Sequence, residues 1–357
     1  MQKNPLRQPH GSPDLPAVTI SSYSLELREG KGFVGDRASR TAFRAGLDRW
    51  RKLYRRLLGE DVFGVMPTED IGKRAVDELL REEGDAAAVI LSAMEDHAAQ
   101  LARVVRRFAR HPSWQGVQRV AVGGGFKQSL AGRRTIRRAD QLLREAKVEI
   151  RLRAMHHHSD EGGLIGWVHV APPALWRHYD AMLAVDIGGT NVRCGIVRVP
   201  GKEGDGKRRD PDAARVGNLR KWGHAADKET THREHLVQGI ADMLTRLIDK
   251  ADKKGLKLAP LVGVACPGHI HGDGVITSGA QNLPGDWEHE NFHLPHKLME
   301  VLPSINGIPP TVCLHNDAVV QGLSELPWMR DVSRWAVLTM GTGLGNASYV
   351  NDEAQED

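Results

Sequence analysis

The sequence has no run of about 18 consecutive apolar residues, so it predicts no membrane-spanning helix. Its start, MQKNPLRQPHGSPDLPAV, carries Lys3 and Arg7 with no apolar segment behind them. No secretory signal is therefore predicted, and the cytoplasm is the expected compartment. Cysteine is scarce. Cys194, Cys266 and Cys313 are odd in number, far apart and each set in an apolar run, which favours buried thiols over disulfides or a zinc site. Low-complexity tracts and fixed-period repeats are missing, which excludes a solenoid.

What is present is a chain of 357 residues, 40% apolar and with 38 glycines, of a length that suits two domains or one two-lobed enzyme. The net charge of +4 is concentrated in RVVRRFARHPSWQGVQRV and KQSLAGRRTIRRADQLLREAKVEIRLR. Arg-rich solvated helix faces account for these segments, so nucleic acid is not an expected partner.

Residues 1–16, with Pro5, Pro13 and Pro16, read as a flexible tail. AVTISSYSLEL (17–27) alternates like a strand. Helical spacing follows over 38–58, after Pro67, and through AAAVILSAMEDHAAQLARVVRRFARH. QRVAVGGG and VEIRLRAM read as strands with a helix between them, and DEGGLIGWVHVAPPAL as a closing helix. A hairpin spans 183–199, and the Gly- and Lys-rich stretch 200–215 reads as a mobile loop. A helix from HREHL leads to the strand LVGVACPG. TVCLHND is a strand and AVVQGLSELPWM a helix. RWAVLTMGTGLGNASYV is a strand, a Gly turn and a strand. Strands alternating with helices predict an α/β protein.

In AVDIGGTNVRCGIV, a strand breaks at Asp186 into a glycine turn. Gly188 and Gly189 let an anion approach the backbone, whose N–H groups can cradle phosphate, with Thr190 and Asn191 adding polar side chains. Asp186 is a candidate for Mg²⁺, a hard cation that prefers carboxylate oxygen. An ordinary glycine hairpin is the alternative reading, and the spacing is not that of a dinucleotide-binding loop. LTMGTGLG offers a second such turn at Gly341, Thr342 and Gly343. Two turns, one per lobe, would grip a triphosphate from both sides. Between them in LHNDAVVQGLSE, Asp317 is placed to accept a proton from an attacking hydroxyl, with Asn316 beside it to orient hydroxyls. A plain helix cap at Asp317 is the competing account. AQNLPGDW offers Asn282 and Asp286 to a polyol, or is simply a turn. In VAVGGGFKQS, Gly124 and Gly125 admit a ligand to the backbone. His156, His157 and His158 are adjacent on an extended segment, so they point to opposite faces and do not converge on a metal.

Together these stretches resemble the ROK family of bacterial sugar kinases and regulators, within the sugar kinase/Hsp70/actin superfamily. LAVDIGGTNVRCGIV is similar to its first phosphate motif and GVACPGHIHGDGVI with AQNLPGDW to its sugar region. HNDAVVQGLSE is similar to the catalytic Asn–Asp motif and LTMGTGLG to the second phosphate motif. The first half, from LLREEGDAAAVILSAMEDHAAQ to GGLIGWVHV, resembles the family's C-terminal half. The resemblance implies a two-lobed actin/Hsp70/sugar-kinase-like (ribonuclease H-like) α/β fold in circularly permuted order, the old ends joined through 171–182. Residues 17–180 would then resemble the large lobe with its closing helix near 160–175. Residues 181–318 would form the small lobe, and 319–357 return to the large one. Residues 17–27 should lie beside 346–350.

The resemblance also implies ATP and Mg²⁺ as cofactor and co-substrate and transfer of the γ-phosphoryl group to a hexose or amino-sugar hydroxyl. Asp317 would be the base, with Asn282, Asn316 and Asp286 on the sugar. Asp186 would lie near Mg²⁺, with phosphate at Gly188–Asn191 and Gly341–Gly343 and adenosine at Gly124 and Gly125. The family's Gly-Glu-Ile-Gly-His loop and Cys-rich zinc cluster are not found, so zinc is not expected, and Glu26 is the candidate replacement on the sugar. A regulator that binds sugar or nucleotide without catalysis is the alternative. A symmetric homodimer is the default expectation for oligomeric state.

Overall fold

The computed structural model describes residues 9–202, 205–227 and 232–352. Ten strands, numbered in chain order, form two five-stranded sheets. The first has the order β1 (Val18–Tyr23), β10 (Leu344–Asn351), β9 (Arg334–Met340), β2 (Arg119–Gly123), β3 (Arg151–Ala154). Within it β9 runs parallel to β2, and β2 to β3. The second has the order β6 (Arg215–Trp222), β5 (Val192–Arg198), β4 (Ala181–Ile187), β7 (Leu258–Cys266), β8 (Thr311–Asn316). Here β5 is antiparallel to both β4 and β6, while β7 is parallel to both β4 and β8. A central parallel strand is covered on both faces and so tolerates an unbroken apolar run; all nine residues of β7 are buried. Counted along the chain, this sheet is ordered 3-2-1-4-5 with its second strand reversed, the ribonuclease H-like arrangement.

The chain divides into two units. Unit 1 takes the described residues up to Ser24, Asp160–Asp331 and those from Val350 on; unit 2 is Leu25–Ser159 with Val332–Tyr349. The core of unit 2 gathers α1 (Arg40–Leu58), α2 (Lys73–Leu79), α3 (Asp85–Phe108) and α4 (Leu130–Glu145) around apolar residues of β2 and β9. In α3, Val89, Ile90, Ala93, Met94, His97 and Leu101 recur at helical spacing and are buried. The N-terminus of α4 is capped twice. Ser129 Oγ accepts from Gly132 N–H at 2.9 Å, and the Asp77 carboxylate accepts from Leu130 at 2.7 Å and Ala131 at 3.1 Å. The core of unit 1 packs α7 (Arg233–Asp252) and α8 (Leu294–Val301) against β4, β5 and β7.

Four expectations meet the structure differently. Residues 10–16 of the expected tail are anchored. Gly11 N–H donates to Leu314 O at 2.9 Å, Leu314 N–H to His10 Nδ1 at 3.1 Å, and the His315 ring to Ser12 O at 3.0 Å. The reason is that β8 ends its sheet, and its free edge takes this segment as cover; residues 1–8 lie outside the described ones. The expected mobile loop at 200–215 contains an antiparallel strand pair, Gly201–Lys202 with Asp205–Arg209. Asp210 N–H on Pro200 O and the Arg209–Asp180 ion pair close it, and residues 203–204 lie outside the described ones. The closing helix is two short turns, α5 (Gly162–Ile165) and α6 (Trp167–Val170), and it clusters with unit 1 rather than with 17–159. Gly166 lies directly against the Val320 carbonyl and Trp167 covers Gly263, contacts that only glycines permit. The division accordingly falls at 159/160 and 331/332, not at 180 and 318.

The expected neighbourhood of 17–27 and 346–350 is present. Leu25 N–H donates to Asn346 Oδ1 at 3.0 Å and Asn346 Nδ2 to Leu25 O at 3.1 Å, while Asp352 N–H reaches Ala17 O at 3.2 Å. The three cysteines are buried and free. Among the described residues no helix is long and apolar enough to cross a membrane.

Candidate active site

In unit 1, β4 and β5 meet in a turn at Gly188–Asn191. Gly188 N–H donates to Asn191 O at 3.0 Å and closes it, and Asn191 Nδ2 donates to Thr190 Oγ1 at 2.9 Å. Asn282 sits beside the turn. A Cβ at position 189 would fall 3.1 Å from the Asn282 Cβ, so glycine is what lets the two segments approach. His224, 2% exposed, reaches the Gly188 carbonyl through Nε2 at 2.8 Å, and Ala225 N–H reaches Thr190 O at 3.4 Å. Nothing in the sequence pattern marks this strap, which only the fold brings to the turn.

Asp186 and Asp317 sit at one end of the same sheet. In register, Asp186 on β4 is level with Ala265, and Asn316 on β8 is level with Cys266 of β7 between them. The Arg193 guanidinium bridges two carboxylates, with Nε 2.5 Å from Asp160 and Nη1 3.2 Å from Asp186. Lys221 adds a second cation at 3.0 Å from Asp160. Burial alone would raise the Asp160 carboxyl, but hydrogen bonds and charge from Arg193 and Lys221 outweigh it and hold it below its ordinary value. Asp186 goes the other way: burial raises it, the Asp160 charge adds to that, and Arg193 offsets only part. Burial also pushes Asp317 up to about 7, with the Asp186 charge adding to it, while its own backbone amide and that of Ala318 pull it down. The same two carboxylates bear on Cys266, whose thiol is raised by burial first and by their charge second.

Asp317 is the first residue of α9 (Asp317–Leu323), but Asn316 is the cap. Asn316 has extended backbone, and its Oδ1 accepts from Ala318 N–H at 3.0 Å and Val319 N–H at 3.2 Å. Its Nδ2 donates to Gly268 O at 2.9 Å and Ser24 Oγ at 3.2 Å. At 1% exposed and with both amide ends engaged, Asn316 has no group left for a sugar hydroxyl, a correction to its expected role. Asn282 and Asp286 are exposed, and Asp286 Oδ1 accepts from Glu288 N–H at 3.2 Å within its turn. Glu26 is exposed and belongs to unit 2.

Unit 2 holds the other two glycine turns, which adjoin. Gly124 has φ +83, and a Cβ there would lie 2.3 Å from the Met340 carbonyl, at the threshold of the Gly341–Gly343 turn. Gly341 N–H donates to Gly343 O at 2.9 Å. Arg40 N–H and Thr41 Oγ1 hold the carbonyls of Gly341 and Thr342 at 3.0 and 3.1 Å. Beside Gly125 stands Lys73, its Nζ 3.1 Å from where a Cβ would be. The sequence pattern did not single out Lys73.

No cluster of three or more His, Cys, Asp or Glu among the described residues could hold a metal. A magnesium–nucleotide site needs less, because Mg²⁺ keeps several waters and takes one or two carboxylates with substrate phosphates. Asp186 fits that demand. Arg193 engages its Oδ2, while Oδ1 has no hydrogen-bond donor among the described residues.

The ROK family model matches residues 182–356. No curated protein matches significantly. Among solved structures, the chain is similar to the Lmo2764 protein of Listeria monocytogenes, a proposed N-acetylmannosamine kinase, at 25% identity over 48% of each chain with a TM-score of 0.33. It is also similar to a proposed sugar kinase from Cytophaga hutchinsonii, at 18% identity over 48% of each chain and a TM-score of 0.35. An exopolyphosphatase from the same organism matches at 16% identity over 48% of this chain and 51% of that one, with a TM-score of 0.26. The chain thus spans about half the length of the solved structures it matches. From residue 182 to residue 356, just under half of its length, this chain matches the ROK family model.

Proposed function

We propose that the protein is an ATP-dependent sugar kinase in which Asp317 is the general base. The observation that carries the reading is a carboxylate at the end of β8 that accepts hydrogen bonds from backbone amides and whose pKa burial raises to about 7. A base is most effective when its pKa lies near the working pH. Asp317 accepts the proton of a hexose or amino-sugar hydroxyl as that oxygen bonds to the γ-phosphorus. The bond from phosphorus to the bridging oxygen breaks, and ADP leaves with the electron pair. Within unit 1 the turn at Gly188–Asn191 is a candidate for phosphate; within unit 2 the turn at Gly341–Gly343 is another, and Gly124 and Gly125 are candidates for the adenosine. Asn282 and Asp286 remain candidates for the sugar. Magnesium, held near Asp186 Oδ1, would supply positive charge against the phosphates.

The same reading favours a circularly permuted chain. The order β1-β10-β9-β2-β3 becomes 3-2-1-4-5, matching the second sheet, when the chain is followed from β9 to β10 and then on through β1, β2 and β3.

The test is a coupled ADP-release assay over a panel of hexoses and amino sugars, comparing wild type with Asp317→Asn. Loss of the base should lower turnover by about 10²- to 10⁴-fold with nucleotide affinity retained. Unchanged turnover removes Asp317 from the reaction. Nucleotide binding with no transfer to any sugar assigns the chain to non-catalytic binders.

A further inference from the structure

We infer that His224 is a positioning residue which aims the backbone N–H groups of the Gly188–Asn191 turn at the anionic group of the substrate. The inference rests on the phosphate reading of that turn and names the device that sets its polarity. A carbonyl can only accept, so the ring nitrogen 2.8 Å from Gly188 O is protonated and donates. The peptide is trans, and in a trans peptide the C=O and the following N–H point in opposite directions. Fixing the Gly188 carbonyl toward His224 therefore turns the Gly189 N–H the other way. The neighbouring contact repeats the effect. Ala225 N–H holds Thr190 O at 3.4 Å, which turns the Asn191 N–H away from the strap as well.

The consequence is visible in the hydrogen bonding. Gly188 N–H is used inside the turn, on Asn191 O, while the N–H groups of Gly189 and Asn191 have no acceptor among the described residues. Two unpaired donors on one side of a glycine turn form an anion cradle. The imidazole is buried at 2% exposure, with Trp222 at 6.1 Å between ring centroids, so it cannot itself touch a ligand of any size. It acts through the backbone it holds. Sequence offers no sign of this, because 36 residues separate His224 from Gly188.

The experiment uses the full chain with ¹⁵N-glycine and ¹⁵N-asparagine labels, titrated with MgATP and, separately, with inorganic pyrophosphate. In wild type the Gly189 and Asn191 amide resonances should shift on titration. His224→Gln keeps a donor where Nε2 stood and should behave as wild type. His224→Asn and His224→Ala lose it and should need about ten- to a hundredfold more ligand, the worth of hydrogen bonds to a charged group. If the alanine variant does not fold, the Gln and Asn variants decide the matter between them. Equal affinity in Gln and Asn variants overturns the inference, as does a wild type whose two amides do not respond to either probe. Amides that respond in a protein transferring no phosphoryl group leave the inference standing and remove only the kinase reading.

Discussion

The charge of Asp186 bears on Asp317 from across β7, and together with burial it raises the proton affinity of Asp317 to about 7. A carboxyl whose pKa is raised on folding binds its proton more tightly in the native state than in the unfolded one. Its contribution to stability is therefore favourable at low pH and is lost as pH rises from the ordinary carboxylate value toward about 7. Asp317→Asn mimics the protonated form and abolishes that loss. We expect the variant to melt above wild type at pH 8 and close to it only at about pH 4, the ordinary carboxylate value, as read by thermal denaturation across that range. Equal melting temperatures at pH 8 would show that the carboxyl is not strained by its surroundings. Turnover in wild type should fall as pH drops below about 7, because the base is then protonated.

Arg193 is a second point of leverage, since one guanidinium neutralises both Asp160 and Asp186 at side-chain exposures of 15–17%. Removing one member of a largely buried ion pair costs about 3–5 kcal/mol, because the charge left behind is uncompensated. Arg193→Met should lower stability toward urea by an amount near the low end of that range at pH 7, Lys221 still serving Asp160. Asp160 is depressed in the fold, so its stabilising share is present above the ordinary carboxylate pKa and disappears as pH falls through the folded one. The gap between wild type and variant should accordingly narrow below about pH 4. A gap that stays constant with pH would mean the guanidinium serves packing rather than charge.

The contrast between Arg193 and Asp317 shows what a linear sequence carries. The turn after Asp186 is legible because apolar runs on either side and paired glycines between them are local signals. Asp317 is legible for the same reason, standing where an apolar strand meets a helix. The partner of Arg193 is not, because Asp160 lies 33 residues away and nothing in that spacing marks a bridge. The helix cap is Asn316, one residue before the Asp317 that the competing account names. Asp and Asn are equally good caps, and only the backbone decides, being extended at Asn316 and helical from Asp317. Residues 10–16 look loose in the sequence because Pro and Gly describe local stiffness and not the sheet edge that takes them. The helix at 162–170 resembled a large-lobe element, yet Trp167 and Gly166 are used against Gly263 and Val320 of unit 1.

That packing gives a sharp test. A Cβ at position 166 would stand 1.7 Å from the Val320 carbonyl oxygen, which is backbone and cannot rotate aside. Gly166→Ala should therefore force α5 and α6 away from α9, at a cost of about 3 kcal/mol or more. Gly272 has open space around it and serves as the control. A chemical denaturation midpoint for Gly166→Ala equal to that of Gly272→Ala would refute the close approach.

Asn316 is the residue for which the sequence and the structure assign different work. If it orients a sugar, Asn316→Ala should raise the sugar KM and leave the melting temperature alone. The hydrogen bonds predict the opposite order of effects. The substitution removes a helix cap worth about 1 kcal/mol and strips the buried Gly268 carbonyl of its donor, a further loss of about 1–3 kcal/mol. Stability should fall by about 2–4 kcal/mol before any effect on sugar affinity is considered. Asn316→Asp separates the two bonds, since it keeps the acceptor for Ala318 and Val319 but sets a carboxylate against the Gly268 carbonyl. Burial beside that oxygen would raise the new carboxyl, so the variant should approach wild-type stability below about pH 4 and lose it as pH rises toward 7. A variant as stable as wild type at pH 7, with a weakened sugar KM, would return Asn316 to the substrate.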